Sequence, residues 1–301
     1  AVESLDLRNA QMLATAQGKI GQFGTDMTGR VDVKSLASFG RGWRGALQAQ
    51  GSFKDDGTGA RRLDVTGTAR DLSFGQAQVD GALAGETQLA VKGIETGGVF
   101  TIETATIGNP RLNLGATGKV GGGATDVTAT LRADDLRFLG RGFRGAVNAT
   151  GQVTDQPEGG RRITAQGQAR GLAIGQPKAD AVLAGETTID VVARQLADGS
   201  LKVDRLRGGN GQFRITGDGS PTDGLNLDAR LNDLSLVVPG LPGPAELRGS
   251  IRNTGTTYDV DLSATAPGET RATIAGSVAT NMQNADIRVA GGTNAAVANP
   301  F

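Results

Sequence analysis

In RGAVNATGQV (144–153), Val147, Ala149, Gly151 and Val153 alternate with Asn148, Thr150 and Gln152. The stretch RGALQAQGSF, 100 residues earlier, sets Leu47, Ala49, Gly51 and Phe53 against Gln48, Gln50 and Ser52. ATDVTATLRA gives Val127, Ala129, Leu131 and Ala133 against Asp126, Thr128, Thr130 and Arg132, and the RRL and RRI stretches continue it through Leu63, Val65 and Ile163. A period of two over eight to ten residues predicts strands with one dry and one wet face. Turn clusters such as KDDGTG, GIETGG and ADGS separate these segments and predict hairpins. No stretch shows a convincing 3.6-residue period, so the expected fold class is all-β.

The alternation belongs to an internal repeat. Residues 39–90 and 139–190 align without a gap, with 24 of 52 positions identical. The register extends back through Gly18-Lys19-Ile20 and Gly118-Lys119-Val120, and a decayed third copy begins near Gly209. The chain therefore reads as one elongated array, 1–301, with repeats at 9–108, 109–208 and 209–301. A strand every 12–16 residues gives roughly seven strands per repeat and about twenty in all. Stacked at about 4.8 Å per strand, they would extend on the order of 100 Å. The expected architecture is an elongated, repetitive, curled antiparallel sheet, taco-like or solenoid-like, with an apolar groove. With 48 Gly, nine Phe, one Trp and one Tyr, the dry face is mostly Val, Leu, Ala and Gly. Both an open groove and a filled core fit that pattern.

Composition then removes functions. The formal net charge is zero, from 31 basic and 31 acidic residues, which argues against a nucleic-acid surface. With no His and no Cys, the usual general base, thiol nucleophile and soft metal ligands are missing. No run of eighteen apolar residues could span a membrane as a helix. The start, AVESLDLRNAQ, lacks the features of a signal peptide; the chain reads as cytosolic or as a piece of a longer protein.

Several motifs invite chemical readings. GRGWRG (40–45) and GRGFRG (140–145) match G-x-G-x-x-G, but the alternating residues after them predict a strand, not the helix whose N-terminus would hold a phosphate. They are expected to be Gly-rich turns entering strands. Arg41, Arg44, Arg61, Arg62, Arg141, Arg144, Arg161 and Arg162 are expected along the polar edge of the sheet, where charge discourages aggregation. GGGATDVTA (121–129) departs from the calcium nonapeptide at Ala124 and has no tandem copy. Asp55–Asp56 and Asp134–Asp135 are not kept between copies and read as solvated turns. Glu86 and Glu186, in AGET, read as turn or strand-start residues. No catalytic set, cofactor or metal is called for.

Gly-rich alternating repeats, phrases such as LNLDARLNDLSL and LRGSIRNTG, and above all the ending ADIRVAGGTNAAVANPF resemble the TamB family. These are translocation and assembly module proteins of Gram-negative bacteria, related to AsmA-like, bridge-forming envelope proteins. The resemblance implies a periplasmic protein tethered to the inner membrane by an N-terminal anchor that this sequence lacks. It implies a trough-shaped sheet that carries phospholipid between the membranes and aids outer-membrane protein assembly. The implied partners are phospholipids and an Omp85-family barrel, the latter through regions outside this fragment of the central shaft. On this reading acyl chains lie against Leu47, Phe53, Leu63, Val65, Leu112, Leu114, Val127, Leu131, Val147, Val153, Ile163, Phe213, Ile215, Leu225 and Leu227. The rivals are a structural or adhesive β-solenoid stalk with a packed core, and a scaffold that offers strand edges to unfolded barrels.

Overall fold

The structure is a computed structural model that describes residues 2–21, 24–40, 42–280 and 284–294. Arg41 and the closing residues 295–301, which include the Asn299-Pro300-Phe301 phrase, lie outside the described residues. The fold is all-β, with nineteen strands among the described residues, paired antiparallel between sequence neighbours. The chain divides into two compact units, Ala1–Asp155 and Gln156–Phe301.

The first unit is a ten-stranded meander: β1 (Val2–Arg8), β2 (Met12–Gly21), β3 (Gly24–Val33), β4 (Arg44–Asp55), β5 (Ala60–Ser73), β6 (Glu86–Thr96), β7 (Val99–Gly108), β8 (Asn113–Val120), β9 (Asp126–Ala133) and β10 (Phe143–Asp155). The second unit has nine: β11 (Arg161–Ile174), β12 (Glu186–Gln195), β13 (Leu201–Gly209), β14 (Phe213–Ser220), β15 (Gly224–Leu231), β16 (Ala245–Asn253), β17 (Thr257–Ala266), β18 (Thr270–Ala279) and β19 (Ala285–Gly292). Each repeat supplies six strands, β2–β7, β8–β13 and β14–β19, one fewer than the strand spacing suggests. Strands of up to 14 residues and the helical insertions take up the difference.

Those insertions include two helices that no 3.6-residue period in the sequence announces. A short helix follows the fourth strand of the first two repeats: α1 (Ala77–Ala82) and α2 (Pro177–Leu183). Each spans fewer than two turns, too short to print a 3.6-residue period. Asp80 Oδ1 accepts the Phe74 N–H at 2.7 Å, and Asp180 Oδ1 accepts the Ile174 N–H at 2.7 Å, so each helix is tied to its preceding strand. The third repeat replaces the helix with a tight turn before Thr270, with Glu269 at φ 58°. A 3-10 turn follows the second strand of every repeat, at Leu36–Ser38, Leu136–Leu139 and Leu234–Leu236. Ser35, Asp135 and Asp233 cap these turns by accepting the N–H groups of Ala37, Arg137 and Ser235.

In the first unit the insertions gather at one end of the strands and pack against a core cluster. Val33, Leu36, Ala69, Leu72 and Leu83 are buried there, with Met12, Val31, Leu47 and Leu89 packed around them. α1 lies so close to the 3-10 turn at Leu136–Leu139 that a Cβ on Gly81 would stand 2.3 Å from the Phe138 carbonyl oxygen. The opposite strand ends are closed by short turns. At the β4–β5 turn, Asp55 and Asp56 accept the N–H groups of Gly57 and Thr58, each at 2.9 Å.

Candidate apolar binding face

Strand register decides which alternating residues meet, because a slip of one residue would turn every side chain to the other face. In the first unit one row across the strands reads Leu5, Ala16, Gly29, Gly51, Val65, Val91, Ala105, Ala116, Ala129, Gly151. The next reads Leu7, Ala14, Val31, Ala49, Gly67, Leu89, Ile107, Leu114, Leu131, Ala149. A third reads Gly18, Met27, Phe53, Leu63, Gly93, Ile102, Gly118, Val127, Val153. No polar residue lies within the first two, and the third is bounded on β1 by Glu3, the partner of Gly18. Nine strand spacings at about 4.8 Å make each full row about 43 Å long.

The second unit repeats the pattern. Ala165, Val191, Leu206, Gly217, Leu227, Gly249, Leu262, Ile274 and Val289 form one row. Ile163, Ala193, Val203, Gly219, Leu225, Ile251, Val260, Gly276 and Ile287 form another. Ile215 lies in a third, between Gly208 and Ala229, and Phe213 pairs with Leu231.

The structure therefore places Leu47, Phe53, Leu63, Val65, Leu114, Val127, Leu131, Val147 and Val153 on one face of the first unit. It places Ile163, Phe213, Ile215, Leu225 and Leu227 on one face of the second. Leu112 is the exception. It precedes β8 in a corner, where its N–H donates to Asn109 Oδ1 at 2.9 Å. None of the fifteen residues is fully buried: Phe53 and Leu114 are exposed and the others half-buried. Val91, Ile107 and Leu114 retain 36–37% exposure in mid-sheet.

Residues such as Val91, Ile102, Ile107, Leu206 and Ile274 complete the face, and the alternation pattern missed several of them. The reason is local. β-bulges break the register between Lys92 and Gly93, between Ile102 and Ala105, and between Val203 and Leu206. One extra residue reverses the parity of everything after it, so VFTIETATIG does not read as alternating even though it is a strand.

The other face is polar and paired. In the second unit Arg194 forms a double hydrogen bond with Asp204 at 2.8 and 2.7 Å, Arg205 reaches Asp190 at 2.8 Å, and Arg248 reaches Asp228 at 2.8 Å. Arg205 holds the Asp190 carboxyl below its usual range, and Arg194 does the same for Asp204. In the first unit Arg62 meets Glu103 at 3.8 Å on this face, while Arg61, which shares a face with Leu63 and Val65, meets Glu95 at 3.3 Å at the strand-end margin of the apolar face. Glu86 and Glu186 open β6 and β12, and they pair with Arg70 and Arg170 across the strand. Concavities of about 1040 Å³ in the second unit and about 710 Å³ in the first are lined mainly by these polar-face residues. A twisted sheet is saddle-shaped and so curves inward on both faces along different directions. The walls of the second-unit concavity are charge-balanced, with four Arg and four Asp, whereas the first-unit one carries Asp6 and Asp64 against Arg30.

GRGWRG has a conformational purpose. Gly45 sits at φ 106°, opposite a bulge between Arg44 and Ala46, where a Cβ would meet the Arg70 carbonyl oxygen at 2.6 Å. The phrase leads out of a 3-10 turn into β4, and Trp43 packs edge-on against Phe74 with centroids 5.3 Å apart. No His/Cys/Asp/Glu group among the described residues has metal-binding geometry, and no helix among them is long and apolar enough to cross a membrane. No family model, curated protein or solved structure matches the chain.

Proposed function

We propose that this chain is a non-enzymatic lipid-carrying segment, whose apolar sheet face holds phospholipid acyl chains while its charged face stays in water. The observation that carries this reading is the set of unbroken apolar rows whose mid-sheet members, Val91, Ile107 and Leu114, remain more than a third exposed. Each methylene laid against such a row gains roughly 0.8 kcal/mol. No directional contact fixes its position, so a chain can slide from one Val or Leu to the next. A packed-core stalk would instead bury these side chains. The resemblance to the TamB family supports the same reading. It adds the setting: a bridge segment in the periplasm of a Gram-negative bacterium, acting in lipid transfer between the membranes and in outer-membrane protein assembly.

The test is mass spectrometry of lipid co-purified with the chain and with the double variant Ile107→Arg, Leu227→Arg. The expected result is phospholipid on the parent chain and at least a tenfold loss from the variant, with the β circular dichroism unchanged. Equal lipid on both chains, or none on the parent, overturns the proposal.

A further inference from the structure

A fourth row crosses the first unit at the margin of the apolar face, two residues outward from the row through Phe53 and Leu63. It reads Ile20, Thr25, Asp55, Arg61, Glu95, Phe100 and Val120. Its ends are apolar and open to solvent, with Ile20 51% and Val120 42% exposed. Its middle carries three charges. Arg61, expected on the polar edge, therefore stands on the same side of the sheet as Leu63 and Val65.

Two hairpin turns hold the acids in place. Asp55 Oδ1 accepts the Gly57 N–H at 2.9 Å in the β4–β5 turn, and Glu95 Oε1 accepts the Gly98 N–H at 2.8 Å in the β6–β7 turn. Each carboxylate thus commits one oxygen to its own turn and presents the other to Arg61. Asp55 Oδ2 lies 3.5 Å from Arg61 Nε, and Glu95 Oε2 lies 3.3 Å from Arg61 Nη1. The two acid side chains are half-buried and the guanidinium between them is exposed.

One guanidinium between two carboxylates leaves a net negative charge beside apolar rows. An anion alone at Arg61 would meet a carboxylate on either side, and a metal ion would meet the guanidinium between its ligands. A group that carries both signs fits. Its phosphate takes N–H groups of Arg61, and its ammonium takes the oxygens of Asp55 or Glu95 by charge-assisted hydrogen bonds. Neighbouring charges in the row are one strand spacing apart, about 4.8 Å, a distance that a two-carbon linker spans.

We propose that Asp55, Arg61 and Glu95 form a headgroup site for phospholipid bearing phosphoethanolamine, with its acyl chains running inward over the rows of Phe53 and Leu63. The assignment rests on the lipid-carrying reading and adds a headgroup preference to it. The preference belongs to the first repeat, because the second has Gln195 at the position of Glu95.

The test incubates the whole chain with vesicles of phosphatidylethanolamine, phosphatidylcholine and phosphatidylglycerol in equal parts, with the same acyl chains. The chain is then re-isolated and its lipids are counted by mass spectrometry. The expected result is ethanolamine lipid enriched about fivefold over each of the others, the scale of one exposed ion pair. Glu95→Gln keeps an acceptor for Gly98, and Asp55→Asn keeps one for Gly57. Each should retain the total lipid per chain while its headgroup ratio falls towards that of the vesicles. Lipid held by the parent at the vesicle ratio, equal uptake of the ethanolamine and choline lipids, or enrichment unchanged in both variants overturns the headgroup site and leaves lipid carriage standing. No lipid on the parent overturns both.

Discussion

Gly45 and Gly42 sit three residues apart in one phrase and have different reasons to be glycine. At Gly42, φ is 83° and nothing lies within 4 Å of an added Cβ, so Gly42→Ala meets only the backbone penalty, about 1 kcal/mol. At Gly45, φ is 106° and the added Cβ also meets the Arg70 and Asp71 carbonyl oxygens at 2.6 and 2.8 Å. Those atoms belong to the paired strand and cannot swing away, so Gly45→Ala should cost about 2–3 kcal/mol. Chemical denaturation of the two variants checks the order, and equal midpoints would refute the bulge argument. Asp80 is a second residue whose worth is local. Its two carboxylate oxygens accept the Phe74 N–H at 2.7 Å and the Ser73 hydroxyl at 2.9 Å. Asp80→Ala should lower the melting temperature, measured against Asp80→Asn, which keeps one acceptor.

At the scale of elements, the strands were legible because period-two alternation has seven or more residues in which to declare itself. Val127 to Ala133 and Val147 to Val153 are such cases, and their residues fall on one face. The helices were illegible for the opposite reason, since AQVDGA and PKADAVL offer fewer than two turns each. The bulged strands β6, β7 and β13 were only partly legible, so Ile102 and Leu206 on the apolar face went unread. The cluster of Asp55, Arg61 and Glu95 was not legible from spacing at all, because it assembles only through the register of three strands. The two helices also make a contrasting pair. Gly81→Ala raises intrinsic helix propensity by about 1 kcal/mol, yet its Cβ would stand 2.3 Å from the Phe138 carbonyl oxygen. The clash is with backbone, so the expected net effect is destabilising, by about 1–3 kcal/mol. The equivalent residue in α2 is already Ala181, and Ala181→Gly should destabilise by about 1 kcal/mol through propensity alone. Thermal melts of both variants test this; a more stable Gly81→Ala chain would show that α1 can move away from its neighbouring turn.

Across the whole molecule, the charged groups set how stability responds to pH. The chain contains no His and no Cys, so no side chain of ordinary pKa changes charge between about pH 5 and 8. Asp6, Asp190 and Asp204 are held below the usual carboxylate range chiefly by the side-chain hydrogen bond from an Arg. Asp56, Asp198 and Asp233 are lowered first by Thr58, Ser200 and Ser235 hydroxyls, and Asp80 by the Phe74 N–H. A carboxyl whose folded pKa lies below its unfolded value stabilises the fold above the unfolded pKa, about 3.9 for Asp, and loses that contribution as pH falls through the folded value. The melting temperature should therefore be flat from about pH 8 to 5 and fall only below about pH 4. Because these groups are almost all solvent-exposed, each contribution is small and screened by salt, so the acid-side decline should be gradual and not a single step. A melting temperature that drops between pH 8 and 5 would mean that groups other than these carboxylates govern the fold. A sharp step near pH 4 would mean that a few buried pairs carry the effect, in place of the many exposed ones on the polar face.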